Sequence, residues 1–339
     1  MSESASTFVI AEAGVNHNGS LALALELVDS AQACGADAVK FQTFKADRLV
    51  TRQADTAAYQ KRTMSEPMSQ YAMLKTLELS EADFRQIHEH CQARGVEFLS
   101  SPFDELSAAF LNDLGMRTFK IPSGEITNTP LLEAIGALGK AVIVSTGMCW
   151  LSEVESALRT LEKAGAAEIT LLHCVTEYPA PYAEINLSAM GTLANAFGVK
   201  VGYSDHTAGI EIPIAAVAMG ATMIEKHFTL DAAMSGPDHA ASMEPGDFRR
   251  MIQAIRHVES ARGDGRKRPA PCEHANLDVV RKSIAAGQNI AEGEIITRGD
   301  LTVKRPGTGL SPSMLEMLIG RRATRAIDAD ELIDWSDLA

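Results

Sequence analysis

The chain alternates short apolar runs, rich in β-branched residues, with longer amphipathic stretches. Eight such runs occur, at 7–13, 37–43, 96–101, 117–123, 140–146, 168–174, 199–205 and 221–227. Nearly continuous apolar runs are typical of parallel strands that are buried on both faces. The intervening stretches carry favoured helix N-caps and C-terminal stops at Ser20, Ser80, Ser152, Gly35, Gly95 and Gly165. We therefore predict eight successive strand-plus-helix units.

Eight units favour a (β/α)8 barrel, the TIM-barrel fold of the α/β class, over a doubly wound open sheet. Polar residues at the ends of the runs support the barrel. In a barrel all these ends meet at one mouth, where active sites are built, whereas an open sheet spreads them along an edge. The residues concerned are Glu12, Lys40, Gln42, Ser101, Lys120, Ser123, Ser145, His173, Ser204, Asp205, His206, Glu225 and His227.

A second, smaller domain is predicted after the barrel. The composition changes near Gly263, where a charged segment with several Pro and Gly residues is typical of a linker. The residues that follow combine short β-branched runs with frequent turn residues. We predict a catalytic barrel over 1–262, a linker over 263–281 and a small domain over 282–339.

The charge balance and the cysteines limit the partners and the location of the protein. A net charge of −13 disfavours nucleic acid or an anionic membrane surface as a partner. The five cysteines include no CxxC pair, which is typical of reduced thiols rather than of a disulfide framework. The sequence shows neither a secretory leader nor an apolar run of membrane length. We expect a cytoplasmic protein with no nucleic-acid or membrane partner.

Two histidines, His206 and His227, lie at the ends of the seventh and eighth runs. A single histidine at a strand end is usually structural, but two at the ends of neighbouring barrel strands can share one metal ion. Two protein ligands leave coordination positions for water and substrate oxygens. A closed structural zinc site is disfavoured because no cysteine cluster accompanies the pair. Structural histidines and ligands of a divalent metal both remain open.

Two lysines, Lys40 and Lys120, lie inside apolar strand sequence. A buried cation is costly unless it faces a counter-charge or a polar cavity. One interpretation is a salt bridge to a barrel glutamate. Another is an anion site to which Ser123 and Ser145 add hydroxyl donors. A Schiff-base lysine, as in an aldolase, is the third.

Glu12 and Arg305 are the other candidates for chemistry. Glu12 ends the first run before an Asn- and Gly-rich turn, where it could act as a general acid or base or bind substrate hydroxyls. Arg305 stands in TVKRPGTG on a rigid turn, either as a surface residue or as a partner for a carboxylate or phosphate. The GxGxxG and GxxxxGK[ST] patterns are absent from the sequence, which gives no support to nucleotide binding of those types.

The motifs together point to one family. In order along the chain they are AEAGVNHNGS, AVKFQTFKAD, LSSPFD, KIPSGEITN, VSTGM, LLHCVTEYPAP, GYSDHTAGI, IEKHFTLD, SGPDH and KRPGTG. In this combination the sequence resembles the sialic acid (nonulosonic acid) synthases, C–C bond-forming transferases that condense phosphoenolpyruvate (PEP) with an N-acylated mannosamine-type sugar.

The resemblance implies an architecture and an assembly. The barrel would be followed by a small antifreeze-like SAF domain of the β-clip type. The protein would form a domain-swapped homodimer in which Arg305 acts on the active site of the other subunit. Manganese is the expected cofactor, with Mg²⁺ and Co²⁺ as the alternatives.

The resemblance also implies roles for individual residues. Catalytic roles fall to Glu12, His206, His227 and Arg305, and His206 and His227 would bind the metal. The PEP-binding positions are Lys40, Ser101, Lys120, Ser123, Ser145, Thr176 and Ser204. The sugar-binding positions are Gln42, Tyr178, Asp238 and Arg305. Thr176 and Ser101 replace an Asn and a Thr of some members, and each retains a hydrogen-bonding group.

The identity of the sugar is the least determined feature. The first expectation is condensation of PEP with open-chain N-acetylmannosamine and water to give N-acetylneuraminate and phosphate. The alternative is an N,N'-diacetyllegionaminate synthase that uses 2,4-diacetamido-2,4,6-trideoxymannose, followed by a pseudaminate synthase and a Schiff-base aldolase. A carbohydrate- or ice-binding module with an inactive barrel is the non-enzymatic alternative. The segment 54–70 is expected to help select the sugar.

Overall fold

A computed structural model describes residues 6–54 and 69–339 of the chain. The chain divides into two units, Met1–Gly263 and Asp264–Ala339. The segment 264–281, predicted as a linker, belongs to the second unit and includes a short helix, α11 (His274–Val280). The division therefore falls at the start of the predicted linker rather than at its end.

The described part of the first unit contains eight parallel strands. They are β1 Phe8–Gly14, β2 Ala38–Thr43, β3 Glu97–Pro102, β4 Thr118–Ile121, β5 Ala141–Ser145, β6 Glu168–Cys174, β7 Lys200–Asp205 and β8 Met223–His227. Their hydrogen-bonded order is β3-β2-β1-β8-β7-β6-β5-β4, and the two end strands, β3 and β4, lie side by side. The sheet is therefore a nearly closed barrel. The predicted TIM-barrel class is confirmed, and the open doubly wound sheet is excluded.

The described helices of this unit follow the strands, and most of them cover the outside of the barrel, whereas α2 and α3 pack together near its mouth. They are α1 Leu21–Cys34, α2 Ala46–Leu49, α3 Gln70–Leu77, α4 Glu81–Arg94, α5 Glu105–Asp113, α6 Thr129–Ala137, α7 Leu151–Ala164, α8 Ala189–Phe197, α9 Glu211–Ala218 and α10 Pro245–Arg262. None of the described helices combines the length and apolarity needed to span a bilayer.

The predicted helix caps agree with the structure at all but one position. Ser20 and Ser80 are N-caps whose hydroxyls accept backbone N–H groups, and the three predicted glycines end their helices in the left-handed conformation. The prediction for Ser152 is wrong, because α7 begins at Leu151, two residues before the start that an N-cap at Ser152 implies. Its N-cap is Trp150, whose backbone N–H donates to the Glu153 carboxylate at 2.7 Å. The side-chain hydrogen bond at this helix start is therefore accepted by the Glu153 carboxylate at position N3, and no serine hydroxyl serves as the N-cap.

The barrel interior changes from apolar to polar along the strands. An apolar layer is formed by Ile10, Ala38, Leu99, Ile143 and Leu172. Strand side chains alternate between the two faces, so the residue two positions further on points the same way. Those next inward positions are Glu12, Lys40, Ser101, Ser145 and Cys174. The apolar layer closes the bottom of the barrel, and the polar layer forms the floor of a cavity at its mouth.

The second unit has its own small core. It contains α11, α12 (Leu315–Leu318) and an antiparallel pair of strands, β9 (Ser283–Ala286) and β10 (Leu301–Lys304). Its core is formed by Ile284, Ala286, Ile290, Ile296, Leu301, Leu310, Leu315, Leu318, Ala323, Ile327, Ile333 and Leu338. This unit therefore has short strands and many turns, as its sequence predicts.

A buried ion pair joins the ends of β7 and β8 on the outer face of the sheet. The ammonium of Lys226 contacts the carboxylate of Asp205 and donates to the Thr207 carbonyl at 2.8 Å. Side chains of Lys226 and Asp205 are 5% and 0% exposed. The two residues directly precede His227 and His206 in the sequence. The ion pair therefore links the two strand ends at the point where the histidines emerge.

Removing one member of this pair is expected to destabilise the protein. Lys226→Met leaves the Asp205 carboxylate buried without its counter-charge, a change that costs about 3–5 kcal/mol. The double variant Asp205→Asn/Lys226→Met removes both charges and is expected to recover most of that loss. Urea unfolding of the parent, both single variants and the double variant measures the coupling. If the loss of unfolding free energy in the double variant equals the sum of the losses in the two single variants, the two side chains do not stabilise each other.

Candidate active site

A cavity of about 180 Å³ opens at the carboxyl end of the barrel strands. Thirteen of the fourteen predicted site residues line it, namely Glu12, Lys40, Gln42, Ser101, Lys120, Ser123, Ser145, Thr176, Tyr178, Ser204, His206, His227 and Asp238. The fourteenth, Arg305, belongs to the second unit, where it is exposed and its Nε donates to the Val280 carbonyl at 3.0 Å. The fold thus gathers positions that span more than 220 residues of sequence into one small volume.

Lys40 lies at the floor of the cavity between two carboxylates. Its Nζ is 2.6 Å from Glu12 Oε2 and 3.9 Å from Glu225 Oε2, and it donates to Ser101 Oγ at 3.4 Å. Glu12 also accepts a hydrogen bond from Gln42 Nε2 at 3.2 Å. The salt-bridge interpretation of Lys40 therefore holds, and the side chain also lines the cavity.

Lys120 lies across the floor from Lys40. Its Nζ donates to Ser145 Oγ at 2.8 Å and is 3.5 Å from Glu225 Oε1. Only 2% of the Lys120 side chain is exposed. The carboxylate of Glu225 therefore serves both lysines, and Ser204 Oγ donates to it at 3.0 Å.

Glu225 has a role at the site that the sequence prediction missed. Its place at a strand end was predicted, but no role was assigned to it. The alternation itself carries the missing signal, because residues 225 and 227 must share a face. If His227 points inward, Glu225 does too. Asp205, the other acidic neighbour, points outward and binds Lys226 instead.

The two lysines and two glutamates differ in their proton affinities. Burial raises the pKa of Glu225, but Lys120 and Lys40 together lower it to about 2, so this carboxylate is ionised. Burial raises the pKa of Glu12, and the negative charge of Glu225 raises it further against the opposing effect of Lys40. Burial lowers the pKa of Lys40, but the two carboxylates reverse the shift and raise it. Glu12 is thus the floor carboxyl best suited to carry a proton.

The pKa of Lys120 shifts in the opposite direction from that of Lys40. Burial lowers it, and the neighbouring positive charge of Lys40 adds to the effect, while Glu225 opposes both. Lys120 therefore has the weaker proton affinity of the two amines. An incoming anion would restore the counter-charge that this amine lacks.

Hydroxyl groups line the wall beside Lys120. Ser123 Oγ accepts a hydrogen bond from the Gly147 backbone N–H at 2.9 Å and lies 3.1 Å from Cys174 Sγ. The Thr176 hydroxyl is buried and has no hydrogen-bond partner among the described residues. A Cβ at Gly147 would lie 2.2 Å from Thr176 Oγ1 and 2.9 Å from Ser123 Oγ. Glycine at this position is therefore what lets the two hydroxyl groups approach the same loop.

The two predicted metal ligands lie together on the opposite side of the cavity. The ring centroids of His206 and His227 are 5.5 Å apart, and the Tyr178 ring lies 4.2 Å from that of His206. His206 Nδ1 is 2.6 Å from the Val175 carbonyl oxygen. A carbonyl can only accept, so Nδ1 carries the proton and donates it. The lone pair of a neutral His206 is therefore on Nε2.

Both imidazoles are neutral. Burial lowers the pKa of His206 to about 4 and lowers that of His227 well below its ordinary value. The Nδ1 atom of His227 is buried without a hydrogen-bond partner among the described residues. No cluster of three or more acidic, His or Cys side chains suited to a metal occurs in the part of the chain that the structure describes. The pair can thus supply two neutral nitrogen donors, and other ligands of an ion would come from water or substrate.

Asp238 reaches the cavity on the loop after β8. Burial raises the pKa of its carboxyl to about 7, with a contribution from the negative charge of Glu12. Asn16 positions this loop, because its Nδ2 donates to the Phe228 carbonyl at 2.9 Å and to Ser242 Oγ at 2.8 Å. Ser242 Oγ in turn donates to the Asp238 carbonyl at 2.7 Å. The first and last βα loops are thereby tied together at the mouth.

An apolar part of the cavity was also missed by the sequence prediction. It is formed mainly by side chains of α3 and of the loops after β1 and β3, namely Val15, Met73, Leu74, Leu77 and Phe103. Most of the predicted sugar-selecting segment, residues 55–68, lies outside the described residues, and its role stays a prediction.

Family models match most of the chain. The model described as the NeuB family matches residues 27–267, and the SAF domain model matches residues 281–339. An N,N'-diacetyllegionaminic acid synthase of Campylobacter jejuni is 50% identical over 329 residues, covering 96% of this chain and 98% of that protein. A synthase of the same name from Legionella pneumophila is 47% identical over 335 residues, covering 98% of this chain and 94% of that protein.

A solved structure shows the same relationship. The N-acetylneuraminic acid (sialic acid) synthetase of Leptospira borgpetersenii, in complex with citrate, is 35% identical and superimposes with a TM-score of 0.71 over 80% of this chain and 90% of that one. The barrel, the SAF domain and the identities agree with the resemblance seen in the motifs. The chain belongs to the NeuB family of nonulosonic acid synthases and carries an SAF domain after its barrel.

Proposed function

We propose that this protein is an N,N'-diacetyllegionaminate synthase. It condenses PEP with 2,4-diacetamido-2,4,6-trideoxymannose and water, and it releases phosphate. The observation that carries the proposal is the 50% and 47% identity to two synthases of that name over nearly the full length of the chain. This similarity favours the alternative sugar over N-acetylmannosamine, which was the first expectation from the sequence.

The PEP site is the floor of the cavity. Lys40 and Lys120 supply two buried cations, and Ser101, Ser123, Ser145, Thr176 and Ser204 supply hydroxyl groups around them. PEP carries a carboxylate and a phosphate, the groups that charge-assisted donors hold most strongly. The Thr176 hydroxyl, which has no hydrogen-bond partner among the described residues, is free to donate to the ligand. Glu225 lies within 3.9 Å of Lys40 and 3.5 Å of Lys120 and so positions both ammonium groups at the floor.

Glu12 handles the proton in this proposal. Carbon 3 of PEP attacks the aldehyde carbon of the sugar, cationic character develops at carbon 2, water adds there, and phosphate leaves. Glu12 lies beside Lys40 with a raised pKa, so it can exchange a proton with the reacting groups and, when ionised, stabilise positive charge at carbon 2. Its hydrogen bond from Gln42 orients the carboxyl.

The sugar occupies the side of the cavity near Gln42, Tyr178 and Asp238. The amide of Gln42 and the carboxyl of Asp238 are the hydrogen-bonding groups that suit sugar hydroxyls and acetamido groups. Tyr178 packs on His206, so its ring position is coupled to that of the histidine pair. Holding both substrates in one small cavity supplies proximity and orientation.

His206 and His227 hold a divalent ion in this proposal, with manganese as the expected metal and Mg²⁺ or Co²⁺ as the alternatives. The residues fit such an ion, because both imidazoles are neutral and the Val175 carbonyl fixes the tautomer of His206. When bound, the ion supplies Lewis-acid polarisation of the sugar aldehyde. The protein's own contribution is to present two nitrogen donors from adjacent strand ends.

The assembly and the location are part of the proposal. Arg305 completes the sugar site in trans, within a domain-swapped homodimer, as the resemblance implies. Its position on an exposed turn of the second unit is compatible with a role toward another subunit. The enzyme acts in the cytoplasm, where PEP is available, and has no nucleic-acid or membrane partner.

The reaction is tested by phosphate release from PEP. We expect turnover with 2,4-diacetamido-2,4,6-trideoxymannose and a lower kcat/KM with N-acetylmannosamine, because the two sugars differ in their substituents at carbon 4 and carbon 6. Product mass identifies the nonulosonic acid. Turnover with neither sugar rejects the proposal, and a borohydride-trapped adduct on Lys40 or Lys120 would favour the Schiff-base alternative.

Metal dependence is tested by chelation and by direct binding. We expect a chelator to abolish phosphate release and added Mn²⁺ to restore it. His206→Asn is expected to weaken Mn²⁺ binding at least about 100-fold, since loss of groups that merely orient a ligand already costs 10- to 100-fold. Calorimetric titration of the purified protein with Mn²⁺ measures this without an activity assay.

A matched control is available on the neighbouring strand. His173 lies near the end of β6 but faces away from the cavity, with its Nε2 2.7 Å from the Ile185 carbonyl oxygen. His173→Asn is therefore expected to bind Mn²⁺ like the parent. Equal binding by the parent, His206→Asn and His173→Asn would place the metal elsewhere.

The raised pKa of Asp238 predicts a pH-dependent stability difference. Between the ordinary aspartate pKa of 3.8 and about 7, the folded chain holds a proton that the unfolded chain has lost. Stability from this group therefore falls as pH rises through that window and stays low above it. Asp238→Asn is expected to gain stability relative to the parent from pH 4 to pH 7, by up to about 4 kcal/mol. Urea unfolding of both proteins across this range measures the difference, and a constant difference would contradict the raised pKa.

A further inference from the structure

One wall of the active-site cavity is apolar, although the floor is charged. Met73, Leu74 and Leu77 of α3 line the cavity together with Val15 and Phe103. Their side chains present no strong hydrogen-bonding group to a ligand. The cavity therefore offers two different environments to the two ends of a bound sugar.

The apolar wall belongs to a hydrophobic cluster separate from the barrel core. The cluster contains Val15, Phe44, Ala46, Met73, Leu74 and Leu77, with Leu49, Val50, Tyr71 and Phe103 packed against it. Helix α3 begins at Gln70, and its N-cap is Ser69, whose hydroxyl accepts the Ala72 N–H at 3.2 Å. Residues 73 and 77 are four apart and so lie on one face of the helix, next to residue 74. The packing of α3 on the loops after β1 and β2 thus fixes the wall.

The wall is well buried in the described structure. Met73, Leu74 and Leu77 are 4%, 8% and 6% exposed. A hydroxyl group placed against such side chains loses water and gains no hydrogen bond, whereas a methyl group gains contact area. An apolar wall of this kind favours a methyl substituent over a hydroxyl group through polarity as well as size.

We propose that Met73, Leu74 and Leu77 form a specificity wall that selects a sugar ending in a methyl group over one ending in a hydroxymethyl group. The inference rests on the proposed condensation with PEP, but it does not depend on the substituent at carbon 4. The inference assigns recognition of carbon 6 of the sugar to helix α3.

The expected discrimination is moderate. Apolar pockets reject an added hydroxyl group by roughly 100-fold at most, because the site has no polar group that is left unpaired. We therefore expect kcat/KM for a 6-deoxy sugar to exceed that for its 6-hydroxy counterpart by about 10- to 100-fold.

Four sugars separate this inference from the proposed function. They are mannose derivatives with either a hydroxyl or an acetamido group at carbon 4 and either a hydroxyl or a hydrogen at carbon 6, all with a 2-acetamido group. The ratio of kcat/KM between the 4-acetamido sugar and its 4-hydroxy partner tests the legionaminate assignment. The ratio of kcat/KM between a 6-deoxy sugar and its 6-hydroxy partner, here called the carbon-6 ratio, tests the wall. It can be measured on the two 4-hydroxy sugars even if the legionaminate assignment fails.

Three variants link the ratio to the wall. Leu74→Asn replaces an apolar side chain with a polar one of similar size and is expected to reduce the carbon-6 ratio at least fivefold. Leu74→Met keeps the wall apolar and is expected to keep the preference for the 6-deoxy sugar. Leu49→Asn makes the same change in the same cluster, but Leu49 is not among the described cavity residues. Its carbon-6 ratio is expected to match that of the parent.

Three outcomes would overturn the inference. The first is a parent enzyme that turns over 6-hydroxy and 6-deoxy partners equally well. The second is a Leu74→Asn enzyme that is folded and active but retains the parental ratio. The third is a Leu49→Asn enzyme that loses as much of the ratio as Leu74→Asn does. Far-UV circular dichroism and thermal unfolding identify variants that fail to fold, and for these Met73→Gln repeats the test at the adjacent position.

Discussion

The arrangement of the active site depends on one carboxylate shared by two buried ammonium groups. Glu225 lies within 3.9 Å of Lys40 and within 3.5 Å of Lys120, and all three side chains are almost completely buried. Two cations this close repel each other, and without an ionised carboxylate between them they could not both remain charged in a barrel interior. Glu225 thus makes it possible to place two positive charges at the floor before a substrate arrives.

This sharing also separates the roles of the two floor glutamates. Glu225 is held ionised by its two cations, so it serves as a fixed counter-charge. Glu12 experiences the negative charge of Glu225 as well as burial, and its pKa rises. One carboxyl therefore organises the cations, while the other is available for proton exchange in the proposed reaction. Two like groups at one site acquire different functions because their environments differ.

Much of the site could be predicted because strand ends converge in a barrel. Eight apolar runs predicted the barrel, and polar residues at their ends predicted the cavity floor, including Lys40, Lys120, His206 and His227. Strand alternation places Glu225 on the same face as His227, but its role was missed because that role lies in contacts with Lys40 of β2 and Lys120 of β4, which are distant in sequence. The apolar wall was missed because α3 lines the cavity only through packing on two loops.

The sequence by itself determined the order of strands and helices, the family, and the types of side chain available for chemistry, because periodicity and motif order are properties of neighbouring residues. Only the tertiary structure decided which charged side chains pair with one another. Asp205 turns outward to Lys226, whereas Glu225 turns inward to the two lysines. The physical reason is that burial and charge pairing act between residues far apart in the chain, and these forces exist only once the barrel has closed.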